Sequence, residues 1–323
     1  MGVEQHVVSP GEDFHRTYPA AQSNAIADAI EERGEFPYEL TYLGDGGELW
    51  RAGEAQSGME TLPERYAGQL LALAPPSSPV RIVDLGPGTT RPVRGVIRHF
   101  LDASRLAGYR GIDISGEILE MAGEALRADF PSQRFVLCQG DFAGPDLARV
   151  LTDEPDEAVR LVVLAGGTAY NVPDPDRLLR HVRAAMNDQD VLLLTLRVDT
   201  GVDRPPFMDK VSVGGPYKPQ QLMGLDLLGI DRSWYVTETG FGPVRSEVFV
   251  RVRFAEPVTV AFGARTASFE PGDRVLIWRY LYHDGAAVRD QLTRCGFRVR
   301  LFEHGDDRQM ILVAATPSQD DPS

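Results

Sequence analysis

The sequence of 323 residues predicts an α/β fold, a doubly wound and mostly parallel sheet into which a smaller α+β domain is inserted. Three observations predict it. After the break Pro75-Pro76-Ser77-Ser78-Pro79, short apolar runs alternate with amphipathic stretches long enough to be crossover helices. The first apolar run passes directly into a Gly-x-Gly turn. The last two runs are joined by so short a loop, Gly305-Asp306-Asp307, that they must be antiparallel.

The strands expected for the parallel sheet are 80–85, 109–114, 135–138, 161–164 and 191–196, each nearly continuous in apolar residues, as strands covered on both faces require. Between them, a periodic run from Val93 to Leu101 forms a helix after the Gly-x-Gly turn. A second helix starts at the N-cap Ser115 and turns Ile118, Leu119, Ala122 and Leu126 inward. A third starts at Asp174, with Pro175 in its first turn and Leu178, Leu179, Val182 and Met186 on its buried face. Val288, Leu292 and Cys295 mark a last helix that Gly296 ends, and strands 297–302 and 310–314 close the chain as a hairpin.

The rhythm changes between Arg197 and His283. Residues 247–254 and 258–262 alternate with a period of two and predict one antiparallel, half-exposed sheet. This stretch is too long for a loop and reads as an inserted domain or lid, which the N-terminal residues join. The expected division is 63–197 with 284–316 as the nucleoside-binding core, 1–62 with 198–283 as the substrate domain, and 317–323 as a disordered tail.

Composition narrows the function. A net charge of -14 and a pI near 4.9 disfavour nucleic acid and anionic membranes as partners. Lys210 and Lys218 are the only lysines, an arginine bias that fits a GC-rich bacterial genome. Cys138 and Cys295 lie far apart with no histidine at ligand spacing, so neither a disulfide framework nor a metal site is expected. With no apolar leader and no run of membrane-spanning length, the protein is expected in the cytoplasm.

The chemistry lies at strand ends. In Asp84-Leu85-Gly86-Pro87-Gly88-Thr89-Thr90 the glycines leave no Cβ where the backbone must turn and approach a ligand. A dinucleotide site would carry a third glycine at position 91; Arg91 stands there and favours a nucleoside without phosphates, S-adenosylmethionine. Asp113 ends the next strand, where an acid accepts both ribose hydroxyls; the alternative of a helix cap is already met by Ser115. Asp141-Phe142 offers an acceptor for an adenine amino group and a ring to stack on it, or else a turn with a buried aromatic. Gly166-Gly167-Thr168-Ala169-Tyr170-Asn171 allows close ligand approach with Asn171 as donor and acceptor, or is a plain turn.

These motifs resemble the histidine-specific methyltransferase family. Leu85 to Thr90 is similar to its Leu-Gly-Ser-Gly-Thr-Ser turn, Asp113-Ile114-Ser115 to its Asp-Val-Ser, Gly140-Asp141-Phe142 to its Gly-Asp-Phe, and Gly166 to Asn171 to its Gly-Gly-Thr-x-Gly-Asn. Tyr42-Leu43-Gly44-Asp45-Gly46-Gly47-Glu48-Leu49-Trp50 resembles its Tyr-Asp-x-x-Gly-Ser-x-Leu-Phe. The resemblance implies a class I methyltransferase core ending in an antiparallel hairpin. It implies S-adenosylmethionine at Gly86, Pro87, Gly88, Thr89, Arg91, Asp113, Ser115, Asp141, Phe142 and Gly166, and an acceptor facing Tyr42, Trp50, Asn171 and Tyr217.

Departures point to the acceptor. The family's Tyr-Tyr-Pro-Thr-Arg meets only Ser57 to Arg65, which holds no tyrosine. Its Thr-Glu-x-Ser, whose acid and hydroxyl recognise imidazole, meets Ile277-Trp278-Arg279-Tyr280-Leu281-Tyr282. Trp278, Tyr280 and Tyr282 would then wall a larger aromatic ring. Alternatively Trp278 and Tyr282 are sheet core and Tyr280 faces solvent. Tyr42, Glu60 and His283 are the candidates for a catalytic base. The expectation is N- or C-methylation of a small aromatic amino-acid-like or indole-like acceptor in bacterial specialised metabolism. Histidine Nα-methylation is the alternative, and a non-catalytic protein that keeps the cofactor fold is the third.

Overall fold

The computed structural model describes residues 5–54, 61–144, 147–152, 157–201, 210–263, 265–306 and 308–318. In chain order the strands are β1 (His6–Val8), β2 (Val80–Leu85), β3 (Leu106–Asp113), β4 (Phe135–Gln139), β5 (Val159–Leu164), β6 (Val191–Arg197), β7 (Ser212–Val213), β8 (Tyr235–Gly242), β9 (Glu247–Phe254), β10 (Val258–Phe262), β11 (Arg265–Phe269), β12 (Arg274–Leu281), β13 (Phe297–His304) and β14 (Met310–Pro317). The chain divides into two compact units, Met1–Gly53 with Arg204–Leu281 and Glu54–Asp203 with Tyr282–Ser323. The sequence places these divisions at 62/63, 197/198 and 283/284.

The larger unit holds a seven-stranded sheet in the order β13-β14-β6-β5-β2-β3-β4. Strands β2 to β6 are mutually parallel, and β14 runs antiparallel between β6 and β13. This is the strand order of the class I methyltransferases. The order reverses at β2, which has β3 on one side and β5 on the other. A ligand crevice therefore opens beyond the carboxyl ends of these strands.

Burial explains why the strands were legible. Every residue of β5 is buried, and β6 is buried as far as Leu196, because helices cover both faces. Strand β4 is only half-buried because it lies at the sheet edge. The helix Arg91–Asp102 sends Val93, Val96, Ile97 and Phe100 into the core with Ile82, Val163, Leu193 and Leu312. At Gly95 the short helix Leu62–Arg65 comes so close that an added Cβ would clash with the Glu64 side chain.

The smaller unit contains two sheets, β12-β9-β8-β7 and β1-β10-β11. Here the structure corrects the sequence reading. Residues 247–254 and 258–262 form strands with the expected bounds, but they lie in different sheets. Both edges of β9 are taken, by β8 and β12, so β10 pairs antiparallel with β11 and parallel with β1. Period-two alternation marks the faces of a strand and does not choose its neighbours.

Smaller corrections follow from pairing. Strand β3 starts at Leu106 and ends at Asp113, and the terminal strands extend to His304 and Pro317. The expected disordered tail is therefore fixed at its start: the Ser318 N–H donates to the Gly296 carbonyl at 2.8 Å, and Arg183 donates to the Ser318 carbonyl. Residues 319–323 lie outside the described residues.

Candidate functional site

In the larger unit, Val80 to Leu85 is β2, and the chain turns where the paired strands end. Gly86 and Gly88 have φ of 75° and 52°, and Thr90 precedes the helix Arg91–Asp102 at φ 60°. A side chain at position 86 would be strained by this φ, and its Cβ would lie 3.3 Å from the Thr168 methyl and 3.6 Å from the Phe142 ring. The turn after β2, the loop after β4 and the loop after β5 thus converge on one point.

Two carboxylates sit beneath this turn. Asp84 is buried; the Tyr109 hydroxyl donates to its Oδ2 at 2.9 Å, while Oδ1 has no partner among the described residues. Burial is the main reason its pKa rises to about 7; the Tyr109 hydrogen bond works against the rise and the charge of Asp113 adds to it. Asp113 is also buried, and its Oδ1 accepts from the Ser115 N–H at 3.0 Å. Its pKa rises to about 6, driven by burial and opposed by backbone hydrogen bonds from Ser115 and Ile114.

The remaining donor-side candidates are distributed around the same turn. Thr89 keeps a buried Oγ1 without a hydrogen-bond partner among the described residues. The Ser115 hydroxyl accepts from the Ile118 N–H and donates to Glu117, so it caps its helix and orients Asp113 through its backbone. Asp141 is exposed and accepts from the Ala143 N–H at 2.8 Å, closing its own turn beside the half-buried Phe142. Gly166 has φ 74° and open space on its Cβ side; its N–H donates to the Thr195 hydroxyl at 2.9 Å. Arg91 is half-buried in the first turn of its helix, and Pro87 packs toward Gly111 on β3.

Unpaired buried polar atoms at Asp84 and Thr89, a second buried acid at Asp113, and glycines where the backbone is open fit a polar nucleoside ligand. Asp84, Tyr109, Thr168 and Thr195 are further candidate positions at this turn that the sequence does not single out. An acid directly before a Gly-x-Gly turn carried the signal for Asp84; the tertiary partners of the others carried none.

Asn171 follows the buried Tyr170, whose hydroxyl donates to Gln291 at 2.6 Å. His283 is half-buried, with its ring edge-on to Tyr170 at 6.0 Å. Burial first, and then the charge of Arg294, lower its pKa, so the imidazole is neutral at pH 7. Tyr282 is buried in this larger unit, beyond the end of β12. Glu60 lies outside the described residues.

The other acceptor candidates belong to the smaller unit. Tyr42 and Trp50 meet edge to face at 6.2 Å, and the Tyr42 hydroxyl bonds that of Tyr38 at 3.2 Å. Tyr217 is exposed. Trp278 and Tyr280 share one face of β12 as alternate strand residues do, both half-buried, with rings 6.3 Å apart and 13° from parallel, and a register shift between Leu276 and Trp278 puts that face opposite to the one Leu276 occupies. Neither is buried core. Between them Arg279 is buried on the opposite face, paired with Glu35 and Glu247. Among the described residues no cluster of metal-binding groups occurs, and no helix is long and apolar enough to cross a membrane.

Part of the chain resembles a known family. Residues 60–204 match the family described as histidine-specific methyltransferase, SAM-dependent. The core is that of a SAM-dependent methyltransferase. S-adenosylmethionine is its cofactor, and the matched segment carries the convergent turn, Asp84, Asp113 and the Gly166 loop. A histidine N-alpha-methyltransferase from Mycolicibacterium smegmatis is 26% identical over 204 residues, so the methyltransferase core here is a divergent one. That alignment covers 60% of this chain and 62% of the relative. Among solved structures, the CcbJ methyltransferase from Streptomyces caelestis overlaps with a TM-score of 0.49 at 14% identity, covering 91% of this chain and 96% of its own. The amino pentose methyltransferase CalS10 from Micromonospora echinaspora gives 0.45 at 15% identity, covering 84% and 96%.

Proposed function

We propose that the protein methylates a small planar aromatic acceptor, amino-acid-like or indole-like, in bacterial specialised metabolism. The observation that carries this reading is the parallel, half-buried pair Trp278 and Tyr280, on the strand where the resembled family has Thr-Glu-x-Ser. A polar ring such as imidazole needs hydrogen-bond partners once buried, whereas aromatic faces favour a larger apolar ring. Tyr42 and Trp50 supply a second aromatic contact in the same unit. The acidic composition supports a small molecule over nucleic acid or a membrane surface as acceptor.

For the donor, Gly86, Pro87, Gly88, Thr89 and Arg91 would form the cradle, with Asp113 on the ribose hydroxyls and Phe142, beside Asp141, on the adenine. Gly166 leaves room for close approach, and Ser115 keeps Asp113 aimed. When bound, the cofactor supplies an electrophilic methyl group on a sulfonium. The acceptor lone pair forms the new bond as the carbon–sulfur bond breaks, and any acceptor proton must then leave. His283, neutral at pH 7, is suited to take it from an indole-like acceptor; a neutral amine requires less help.

Histidine Nα-methylation is the second reading, supported by the relative from Mycolicibacterium smegmatis. Both are tested by offering purified protein labelled S-adenosylmethionine with histidine, tryptophan, tryptamine or simple indoles. Turnover of an indole-bearing acceptor supports the first reading, and turnover of histidine alone overturns it. Failure to bind the methyl donor overturns both and leaves a protein that keeps the fold without the activity.

A further inference from the structure

We propose that the smaller unit carries an oxyanion-binding site on the β8-β9-β12 sheet, formed by Arg251, Arg253 and Arg274 around Glu238 and suited to the dianionic phosphoryl group of a soluble molecule. The Glu238 side chain is 6% exposed, and its carboxylate is shared by three guanidinium groups: Arg251 Nε at 2.8 Å, Arg253 Nε at 2.7 Å and Arg274 Nε at 3.5 Å. One negative charge faces three positive ones, so the cluster keeps a surplus of about two charges in a chain whose net charge is -14.

The register makes this arrangement costly without a further anion. Arg253 lies directly opposite Arg274 across β9 and β12, and like charges at such positions destabilise a sheet. Glu238 on β8 lies opposite Arg251 on β9 and reaches Arg253 and Arg274 diagonally, so its single charge is divided among three guanidinium groups. Elsewhere on the same sheet the balance is closer: Arg33, Arg245 and Arg279 share two acids, Glu35 and Glu247. The surplus is therefore larger at the Glu238 end.

The geometry also leaves hydrogen-bond donors available. Arg251 and Arg253 both reach Glu238 through Nε, and among the described residues their terminal nitrogens meet no other acceptor. Arg251 is held flat, 4.4 Å from the centre of the Phe249 ring. The three side chains retain 27%, 32% and 50% of their exposure, enough for a solute to reach them. Planar guanidinium forks fixed by a shared carboxylate match the spacing of oxyanion oxygens, and fixing them beforehand lowers the entropy lost on binding. None of these residues is assigned to the methyl donor or the acceptor.

Phosphorus NMR and thermal melts of the full chain, with inorganic phosphate titrated against chloride at matched ionic strength, test the site. Saturable line broadening and a rise in melting temperature specific to phosphate are expected, with glycerol 3-phosphate competing. Arg274→Gln, at the most exposed position, should fold normally and bind phosphate roughly tenfold more weakly, as loss of a charge-assisted hydrogen bond implies. Arg274→Lys should restore part of the binding. The proposal is overturned if phosphate and chloride act alike, if folded Arg274→Gln binds as the parent does, or if only vesicles containing phosphatidic acid bind and free phosphate does not.

Discussion

Asp84 and Asp113 show how a residue's setting decides its role. Both are carboxylates at strand ends, and burial raises their pKa values to about 7 and about 6. An acid whose pKa is raised by folding holds its proton more tightly in the folded chain, so the stability it lends is full below its unfolded pKa and declines as pH rises. Without cofactor, the protein should lose stability between about pH 4 and pH 7, at up to about 1.4 kcal/mol per pH unit for each such group. Urea titrations across that range measure the slope, which Asp84→Asn should flatten. A ligand that needs these acids ionised should bind better as pH rises through the same window. Calorimetry with S-adenosylmethionine should therefore show tighter binding at about pH 8 than at about pH 5.5, and Asp113→Asn should weaken binding by roughly tenfold or more. Asp113 was legible because an acid ending the second strand has few other uses. Tyr109 was not, because it reads as one more apolar strand residue and its bond to Asp84 links different strands.

At the scale of elements, packing overrode local preference in both units. Replacing a helical glycine by alanine normally favours the helix by about 1 kcal/mol. At Gly95 the added methyl would meet Glu64 from the crossing helix, and overpacking of this kind costs about 1–3 kcal/mol. Gly95→Ala should therefore lower stability, with denaturant melts giving the sign. On β12 the buried Arg279 is paired with Glu35 and Glu247, which the more exposed Arg33 and Arg245 also reach. Arg279→Met would leave each acid only its more exposed arginine and should cost about 1–3 kcal/mol, measured in the same way. Strand bounds in β9 and β10 were legible from alternation, but their membership of separate sheets was not, since β9 takes β12 from beyond two intervening strands and β10 takes β1 from the N-terminus. The register shift in β12 was equally hidden, and it puts Trp278 on the face opposite to Leu276.

At the scale of the whole molecule, the larger unit is completed only when the end of the chain returns to it. Strand β14 fills the place between β6 and β13, with Ile311, Leu312, Val313 and Ala314 fully buried. Truncation before Phe297 would expose the apolar edge of β6, and the product should be insoluble or unfolded by circular dichroism. The smaller unit is likewise assembled from both sides of the core segment, with β1 pairing with β10. The sequence by itself determined the α/β class, the order of the core elements, the glycine turn and the acids that follow it. Each of these rests on local periodicity or on a backbone conformation that few residues adopt. Only the tertiary structure decided which strands of the smaller unit pair, which buried acids keep an unpaired oxygen, and where three arginines meet one glutamate. Those outcomes depend on contacts between residues far apart in the chain, which no local pattern encodes.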